Sequence, residues 1–292
     1  MRLITTIALL AGLSLTAQAA EPRSFSDRRA MNADAKLNVR NLSGLIEVEG
    51  WEKNEFDLAA ELGESAEKID ISGSAGDLKV EVKIRKGNHS YNNGDTHLKL
   101  RVPAGVTLTL DGTSADLFVR GTKGALVARS VSGDVDLAIG SKTITVQTVS
   151  GDVRLDTPAA RETQLNTVSG DTDVKGAAGA LSAESVSGDL QVEGGTFTQL
   201  DLKSVSGDIG VRAGFAADAK VKAESLSGDV HVNAPASFSG EVSLKTFSGD
   251  KHCDFEGARE AADSKRTVLK IGEGRGQFSL TSFSGDVTLD KQ

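Results

Sequence analysis

Apolar and polar residues alternate along most of this chain, in short segments that one recurring tripeptide interrupts. Ser-Gly-Asp occurs eight times, beginning at Ser132, Ser150, Ser169, Ser187, Ser206, Ser227, Ser248 and Ser284. Consecutive serines are 18–21 residues apart, except for a last interval of 36 residues, which equals two intervals of 18. A repeat with a period near 20 residues is typical of a stacked repeat architecture.

The apolar positions predict two strands in each repeat. In the second repeat, Ile144 and Val146 precede the serine with one parity, whereas Val149, Val153 and Leu155 have the opposite parity. Because side chains alternate along a strand, both sets face one core only if the chain bends just before Val149. We therefore expect the apolar residue before each serine to be buried. The predicted fold class is all-β, a β-solenoid (β-helix) with coils of about 18–21 residues.

The repeat continues upstream in less regular form, at Ser43-Gly44, Gly76-Asp77 and Ser114-Ala115-Asp116. We interpret residues 35–110 as an irregular N-terminal β segment and residues 111–292 as the regular Ser-Gly-Asp solenoid, continuous with it. A coil without the tripeptide is expected between the last two serines, with Thr267–Ile271 as its strand. We expect the charged segment before that strand to loop out or to cover the open end of the stack, because exposed strand edges need protection.

The first residues predict export. Residues 1–19 combine a cationic start, a short apolar run and the small-residue end Ala17-Gln18-Ala19, which is the pattern of a secretory signal peptide. Residues 20–34 are predicted to be a flexible linker. No later stretch is apolar and long enough to insert into a membrane. The expected location is the periplasm, or the extracellular side at the cell surface.

Charge and cysteine content restrict the partners and the chemistry. The formal net charge is −8, which disfavours nucleic acid and anionic membrane surfaces as partners. Cys253 is the only cysteine, so no disulfide can form within the chain. It occupies a position that holds leucine or valine in other repeats, which favours a buried filler over a reactive thiol.

Three segments carry a resemblance to a known family. They are Leu37–Trp51, Leu100–Gly105 and the Ser-Val-Ser-Gly-Asp-Val repeats that end in Thr281–Val287. In these segments the chain resembles the bacterial putative adhesin family of exported β-strand-repeat proteins, whose central domain has no known function. The resemblance covers nearly the whole chain after the signal peptide. It implies adhesion at the cell envelope and transfers no catalytic residue.

The repeated aspartate is the strongest candidate for ion binding. Stacked carboxylates at the strand spacing suit a hard cation such as Ca²⁺, whereas a structural turn role needs no ion and is the favoured interpretation. The metal candidates are Asp134, Asp152, Asp171, Asp189, Asp208, Asp229, Asp250 and Asp286. No other cofactor is predicted. A row of serine and threonine two residues before each repeat serine is expected to fill a tight corner, with sugar binding as the alternative.

Catalytic signatures are absent from the sequence. It contains no Gly-x-Ser-x-Gly elbow and no paired cysteines or His-x-x-x-His spacing, so we predict that the chain is not an enzyme. The candidates for a contact surface are Trp51 and, in a polar loop, His89, Tyr91 and Asn92. The predicted function is an adhesin-like or structural interaction module of the cell envelope. A polysaccharide-binding or polysaccharide-active β-helix protein and a Ca²⁺-stabilised repeat protein remain as alternatives.

Overall fold

The fold is all-β. A computed structural model describes residues 23–85, 95–263 and 265–292, with side chains omitted for residues 259–262. The strands of the N-terminal region are β1 (Arg23–Ala30), β2 (Lys36–Trp51), β3 (Glu55–Leu62), β4 (Ala66–Ser74), β5 (Asp77–Ile84) and β6 (Thr96–Pro103). Across this described part of the chain, no helix is of a length and apolarity that would cross a bilayer.

The remaining strands come mostly from the repeats. They are β7 (Thr107–Arg120), β8 (Leu126–Ser132), β9 (Val135–Ala138), β10 (Thr143–Ser150), β11 (Val153–Asp156), β12 (Glu162–Asn166), β13 (Thr172–Lys175), β14 (Gly179–Ser187), β15 (Leu190–Ser206), β16 (Ile209–Ser227), β17 (Val230–Ala234), β18 (Gly240–Ser248), β19 (Lys251–Cys253), β20 (Ala258–Ala262), β21 (Arg266–Ile271), β22 (Gly276–Ser284) and β23 (Val287–Lys291).

Each repeat contributes one strand segment before its Ser-Gly-Asp corner and one after it, and β15 and β16 each run unbroken from one corner to the next. Each strand pairs in parallel with the equivalent strands of the neighbouring repeats, so Val146 lies between Ala128 and Leu165. After the corner, Leu155 aligns with Val174 in the same way. These inward residues are almost fully buried and form a core of aligned valine, leucine and isoleucine side chains. The register follows from the alternation, because a slip of one residue would expose every one of them.

The N-terminal region closes one end of this stack. Strand β2 pairs in parallel with β7 along its length, and its other edge pairs with β5 in its first half and with β6 in its second half. Antiparallel strands then pair with the outer edges of β5 and β6. Strand β4 pairs with β5, β3 pairs with β6, and β1 pairs with β3. Residues 23–30 therefore form a paired strand, and the prediction of a flexible linker over residues 20–34 is wrong for them.

The order of the last repeats in space differs from their order in the sequence. The final pair, β22 and β23, lies between β16–β17 and β18–β19. Strand β21, which holds Thr267–Ile271, runs antiparallel to β18, and β20 pairs with β21. The prediction of an additional coil between Ser248 and Ser284 is therefore wrong. An antiparallel hairpin of β20 and β21 covers the outer edge of β18 instead, which agrees with the expectation that the charged segment could cover the open end of the stack.

The inward-facing parity switches at a different place from the predicted one. The apolar residue before each repeat serine is exposed, as shown by Val149 at 48% and Phe247 at 56%. The hydroxyl residue one position earlier is buried instead, as at Thr148. The switch occurs within the tripeptide, where Gly151 adopts φ +129° and Gly285 adopts φ +154°. These left-handed values reverse the side-chain alternation without a bend before the valine.

Candidate functional site

An exposed row of apolar side chains runs along the stack, formed by the residue that precedes each Ser-Gly-Asp. In spatial order this apolar row comprises Val131, Val149, Val168, Val186, Val205, Leu226, Phe283 and Phe247. Each side chain is 44–56% exposed. Eight residues at the strand spacing extend over about 34 Å. A continuous exposed apolar surface of this kind is a typical mark of an interaction site.

Two phenylalanines, which have the largest side chains of the apolar row, form the end of the row that lies farthest from Val131. The rings of Phe247 and Phe283 stack with centroids 4.9 Å apart and an interplanar angle of 1°. The ammonium of Lys265 lies 3.9 Å from the centroid of Phe247. Leu226 is the next member of the row beside Phe283. Both outer ring faces therefore have neighbours, and the aromatic end offers mainly ring edges to a partner.

A groove of about 830 Å³ follows the apolar row from Val186 to the phenylalanines. Charged side chains of both signs stand along its wall. Lys203 donates to Glu184 over 2.8 Å, and Lys222 contacts Glu224 at 2.7 Å. The hydrogen bond to Glu184, aided by the charge of neighbouring carboxylates, raises the pKa of Lys203. The surface thus combines an apolar centre with a polar rim of mixed charge, as protein interfaces do.

The predicted metal candidates form a hydrogen-bonded ladder through the corners. One carboxylate oxygen of each repeat aspartate except Asp250, the last in space, accepts a hydrogen bond from the backbone N–H of the aspartate in the spatially adjacent repeat. Asp152 N–H donates to Asp134 at 2.9 Å, and Asp208 N–H donates to Asp189 at 2.8 Å. The same contact links the remaining members through Asp116, Asp171, Asp229, Asp286 and Asp250. The ladder therefore joins the corners of neighbouring repeats by hydrogen bonds. Ca²⁺ binding along it stays a prediction.

The glycine of the tripeptide is required by close approach between repeats. A Cβ on Gly207 would lie 2.2 Å from the carbonyl oxygen of Gly188, and Gly207 itself has φ +148°. Any side chain there would both clash with the backbone and adopt an unfavourable conformation. This constraint brings the corners together and thereby aligns the apolar row that lies beside them.

The buried hydroxyl row fills the inside of the same corner. Thr246 and Ser282 donate hydrogen bonds of 2.8 Å to the carbonyl oxygens of Gly285 and Gly228 in adjacent repeats. All eight members are at most 7% exposed. The tight-corner interpretation agrees with this placement, and the burial of the hydroxyls gives little support to the sugar-binding alternative.

Of the predicted contact residues, Trp51 alone belongs to the part of the chain that the structure describes. His89, Tyr91 and Asn92 lie outside the described residues. Trp51 is half-buried, donates its indole N–H to the carbonyl oxygen of Glu55 at 2.9 Å, and has Lys53 and Arg101 over its ring. Its indole is therefore already engaged within the N-terminal region. The apolar row has the stronger claim to be the contact surface.

Cys253 lies in register with Leu289 and packs against the core. Burial raises the pKa of its thiol, and the Sγ atom is 3.9 Å from the carbonyl oxygen of Phe255. This burial suppresses the thiolate, which is the reactive form. The position thus agrees with the filler role that the repeat pattern predicts.

Sequence reasoning missed a cluster of histidine and aspartate near the end of the stack. His252 Nε2 lies 2.8 Å from Asp254 Oδ1, and His231 Nε2 lies 3.4 Å from Asp290 Oδ2. The signal that could have revealed the cluster is positional. Both histidines stand four residues after a repeat serine and both aspartates stand six residues after one, so that their side chains share one outward face.

Comparison with known proteins gives one family match. The family model described as Toastrack DUF4097 matches residues 119–290. A solved structure of a putative adhesin from Bacteroides fragilis shares 11% identity, with coverage of 91% of this chain and 97% of that one and a TM-score of 0.46. A putative adhesin from Parabacteroides merdae shares 9% identity, with 93% and 97% coverage and a TM-score of 0.30. The comparison with curated proteins found no match.

Proposed function

Because this chain belongs to the Toastrack DUF4097 family, we propose that it is a non-enzymatic, adhesin-like interaction module of the cell envelope. In this proposal the stacked repeats form a two-armed β-solenoid that serves as a rigid support. The apolar row is its contact surface, and the partner is another protein of the envelope. The single observation that carries the proposal is the continuous exposure of eight apolar side chains on an otherwise polar outer face.

The form of the apolar row supports a protein partner. Isolated exposed apolar residues are common. Here, however, apolar side chains aligned over about 34 Å expose a continuous strip of apolar surface to water, which is unfavourable. Covering the strip would recover roughly 25 cal/mol for each Å² of apolar area that leaves water. The mixed charges at the rim, such as the Lys203–Glu184 pair, can give such an interface its orientation.

The contacts of the ionisable groups support a non-enzymatic role. Where the chain is described, His231 and His252 contact aspartates and not a serine or cysteine side chain. The repeat serines recur in every corner, and Cys253 is partly buried with a raised thiol pKa. A nucleophile paired with a base is the usual requirement for acyl transfer, and these contacts do not supply it.

The polysaccharide alternative receives less support from the same surface. Sugar rings stack on the open faces of aromatic side chains, and the outer faces of Phe247 and Phe283 have Lys265 and Leu226 as neighbours.

Export to the envelope, which the signal peptide predicts, is part of the proposal because an adhesin-like module must meet its partner outside the cytoplasm.

Cosedimentation of the purified mature chain with isolated envelope fragments tests the proposal. A variant carrying Val168→Thr, Val186→Thr and Val205→Thr keeps β-branched residues but removes the apolar surface. We expect it to bind at least about fivefold less, since each lost valine contact weakens the interface. The control changes Gln164 and Ser182, which face outward on β12 and β14, to threonine and should bind like the parent chain.

Treatment of the envelope fragments separates the partner classes. Protease digestion of the fragments should abolish binding, whereas glycan digestion should leave it unchanged. Equal binding by the valine variant, or loss of binding only after glycan digestion, would contradict the proposal. Sedimentation velocity of the chain alone must show a monomer, because self-association through the apolar row would identify a second copy as its occupant.

A further inference from the structure

Three adjacent parallel strands place two histidines on either side of one aspartate. Strand β23 lies between β17 and β19, and its Thr288 is in register with both His231 and His252. Asp290 is the next outward position on the central strand. The two imidazoles can therefore reach the same carboxylate from opposite sides. This convergence depends on the out-of-sequence insertion of β23, which brings together residues from three repeats.

His252, Asp254 and Asp290 lie within the distances of a coordination shell, and His231 adjoins them through Asp290. His252 Nε2 is 2.8 Å from Asp254 Oδ1 and 3.8 Å from Asp290 Oδ1, and these three atoms all lie within 4.8 Å of one another. His231 Nε2 is 3.4 Å from Asp290 Oδ2. Ligand atoms around a tetrahedral zinc ion with bonds near 2.0–2.2 Å are about 3.3 Å apart. The observed nitrogen–oxygen separations, from 2.8 to 3.8 Å, lie both below and above that distance.

The central carboxylate has unused bonding capacity. Asp290 Oδ1 is shielded from solvent and has no hydrogen-bond partner, even though an imidazole nitrogen stands nearby. The side chain of Asp290 is 25% exposed, whereas His231 and His252 are 47% and 63% exposed. The cluster therefore has an inner oxygen that lacks a partner and an outer side that is open to solvent, through which an ion could enter.

We propose that His231, His252, Asp254 and Asp290 bind one divalent cation of the late first-row type, with Zn²⁺ as the expected ion. Neutral imidazole suits this class, and aspartate oxygens complete a ligand set of two nitrogens and two or more oxygens. The aspartate ladder, which offers only oxygen, would instead suit Ca²⁺. The two ion hypotheses are therefore chemically distinct.

The ion would join the last strands of the stack. Strand β19 has only three residues, Lys251–Cys253, and is followed by an irregular connection to the end hairpin. A ligand pair on and just after β19, together with one ligand each on β17 and β23, would hold the three strands together. Because the ion binds the folded arrangement, it should stabilise the chain by mass action.

Titration calorimetry with Zn²⁺ alone, on tag-free mature protein at neutral pH, tests the proposal. We expect one ion per chain and a higher melting temperature in the presence of Zn²⁺. Co²⁺ should give a visible absorption spectrum typical of four-coordinate nitrogen and oxygen ligation, and excess Zn²⁺ should displace it. This spectrum reports the ligand set directly and does not depend on stability.

Variants assign the ligands. His252→Ala and His231→Ala should each weaken Zn²⁺ binding at least about tenfold, and the double variant should abolish both the heat and the Co²⁺ spectrum. The control His97→Ala removes another exposed histidine, on β6, and should bind like the parent chain. Circular dichroism verifies that each variant is folded. No stoichiometric uptake by the parent chain, or unchanged uptake by the double variant, would overturn the proposal.

Discussion

The regular repeats and the N-terminal region stabilise similar parallel pairings by different means. In the repeats, every Ser-Gly-Asp corner after the first contains a positive-φ glycine, and carboxylates accept neighbouring backbone N–H groups, as at Gly207 and Asp189. In the N-terminal region, antiparallel strands carry ion pairs that link neighbouring segments. Asp57 contacts both Arg28 and Arg101, and Phe56 is fully buried beside it in the chain.

The difference shows what exact repetition makes possible. Where every layer is alike, one backbone contact at the corner can recur from repeat to repeat without long side chains. Where β2 meets β5 and β6, the layers differ, and side-chain contacts specific to each strand replace the recurring one. Changes at the corners should therefore matter most in the repeats, and changes of charge should matter most in the N-terminal region.

The largest effect is expected from Gly207→Ala in the repeats. The new Cβ would meet the carbonyl oxygen of Gly188 at 2.2 Å, and alanine would have to adopt φ +148°. We expect a loss of about 2–4 kcal/mol in the free energy of unfolding. Urea denaturation followed by circular dichroism measures it. The control is Gly76→Ala in the N-terminal region, where the nearest atom is a flexible side-chain nitrogen of Asn32 at 3.3 Å. Equal losses in both variants would remove the distinction between the regions.

A smaller effect is expected from Asp189→Ala in the ladder. Its carboxylate accepts the N–H of Asp208, and losing that acceptor should lower the free energy of unfolding by roughly 1 kcal/mol. Asp189→Asn retains an oxygen acceptor and should lose clearly less, as measured by urea denaturation. If the asparagine and alanine variants were equally unstable, the charge of the ladder and not its hydrogen bond would be the important property.

In the N-terminal region, Glu81→Gln should destabilise the chain in a pH-dependent way. The hydrogen bonds from Lys79 and Lys83 lower the pKa of Glu81 from 4.5 to about 2. The ionised form therefore contributes stability above about pH 4.5, and this contribution is lost as the pH falls through about 2. We expect a deficit of roughly 0.5–1 kcal/mol for the variant at pH 7, which shrinks toward pH 2.

Urea denaturation of the Glu81 variant at pH 7, 4 and 2.5 gives that dependence. The matched control in the repeats is Glu184→Gln, which removes the more exposed pair with Lys203. A deficit that stays constant with pH would show that the lysine contacts of Glu81 do not stabilise the fold.

The smallest effect is expected from Ca²⁺ at the aspartate ladder. One oxygen of each carboxylate up to Asp286 already accepts a backbone hydrogen bond, and the side chains are solvated. Millimolar Ca²⁺ should change the melting temperature of the metal-free chain by less than about 1 °C, since the ladder needs no ion to satisfy its donors. A clear rise with Ca²⁺ that Asp189→Asn diminishes would support the Ca²⁺-stabilised alternative instead.

Much of the fold could be predicted from the repeat, and part of the candidate site could not. The period located the strands before and after the Ser-Gly-Asp corners, and the aspartates were correctly assigned a corner role. The apolar row was predicted to be buried because valine before the serine matches the inward pattern. Its exposure at Val149 and Phe247 depends on the glycine φ values, which composition does not reveal.

The sequence by itself determined the class of the fold, the length of each layer and the family to which the chain belongs. These follow from local alternation and from a period, which are properties of neighbouring residues. Only the tertiary structure decided which side of the corner faces solvent and that β23 lies between β17 and β19. The physical reason is that both depend on backbone contacts between different repeats. Those contacts expose the apolar row and bring His231, His252 and Asp290 together.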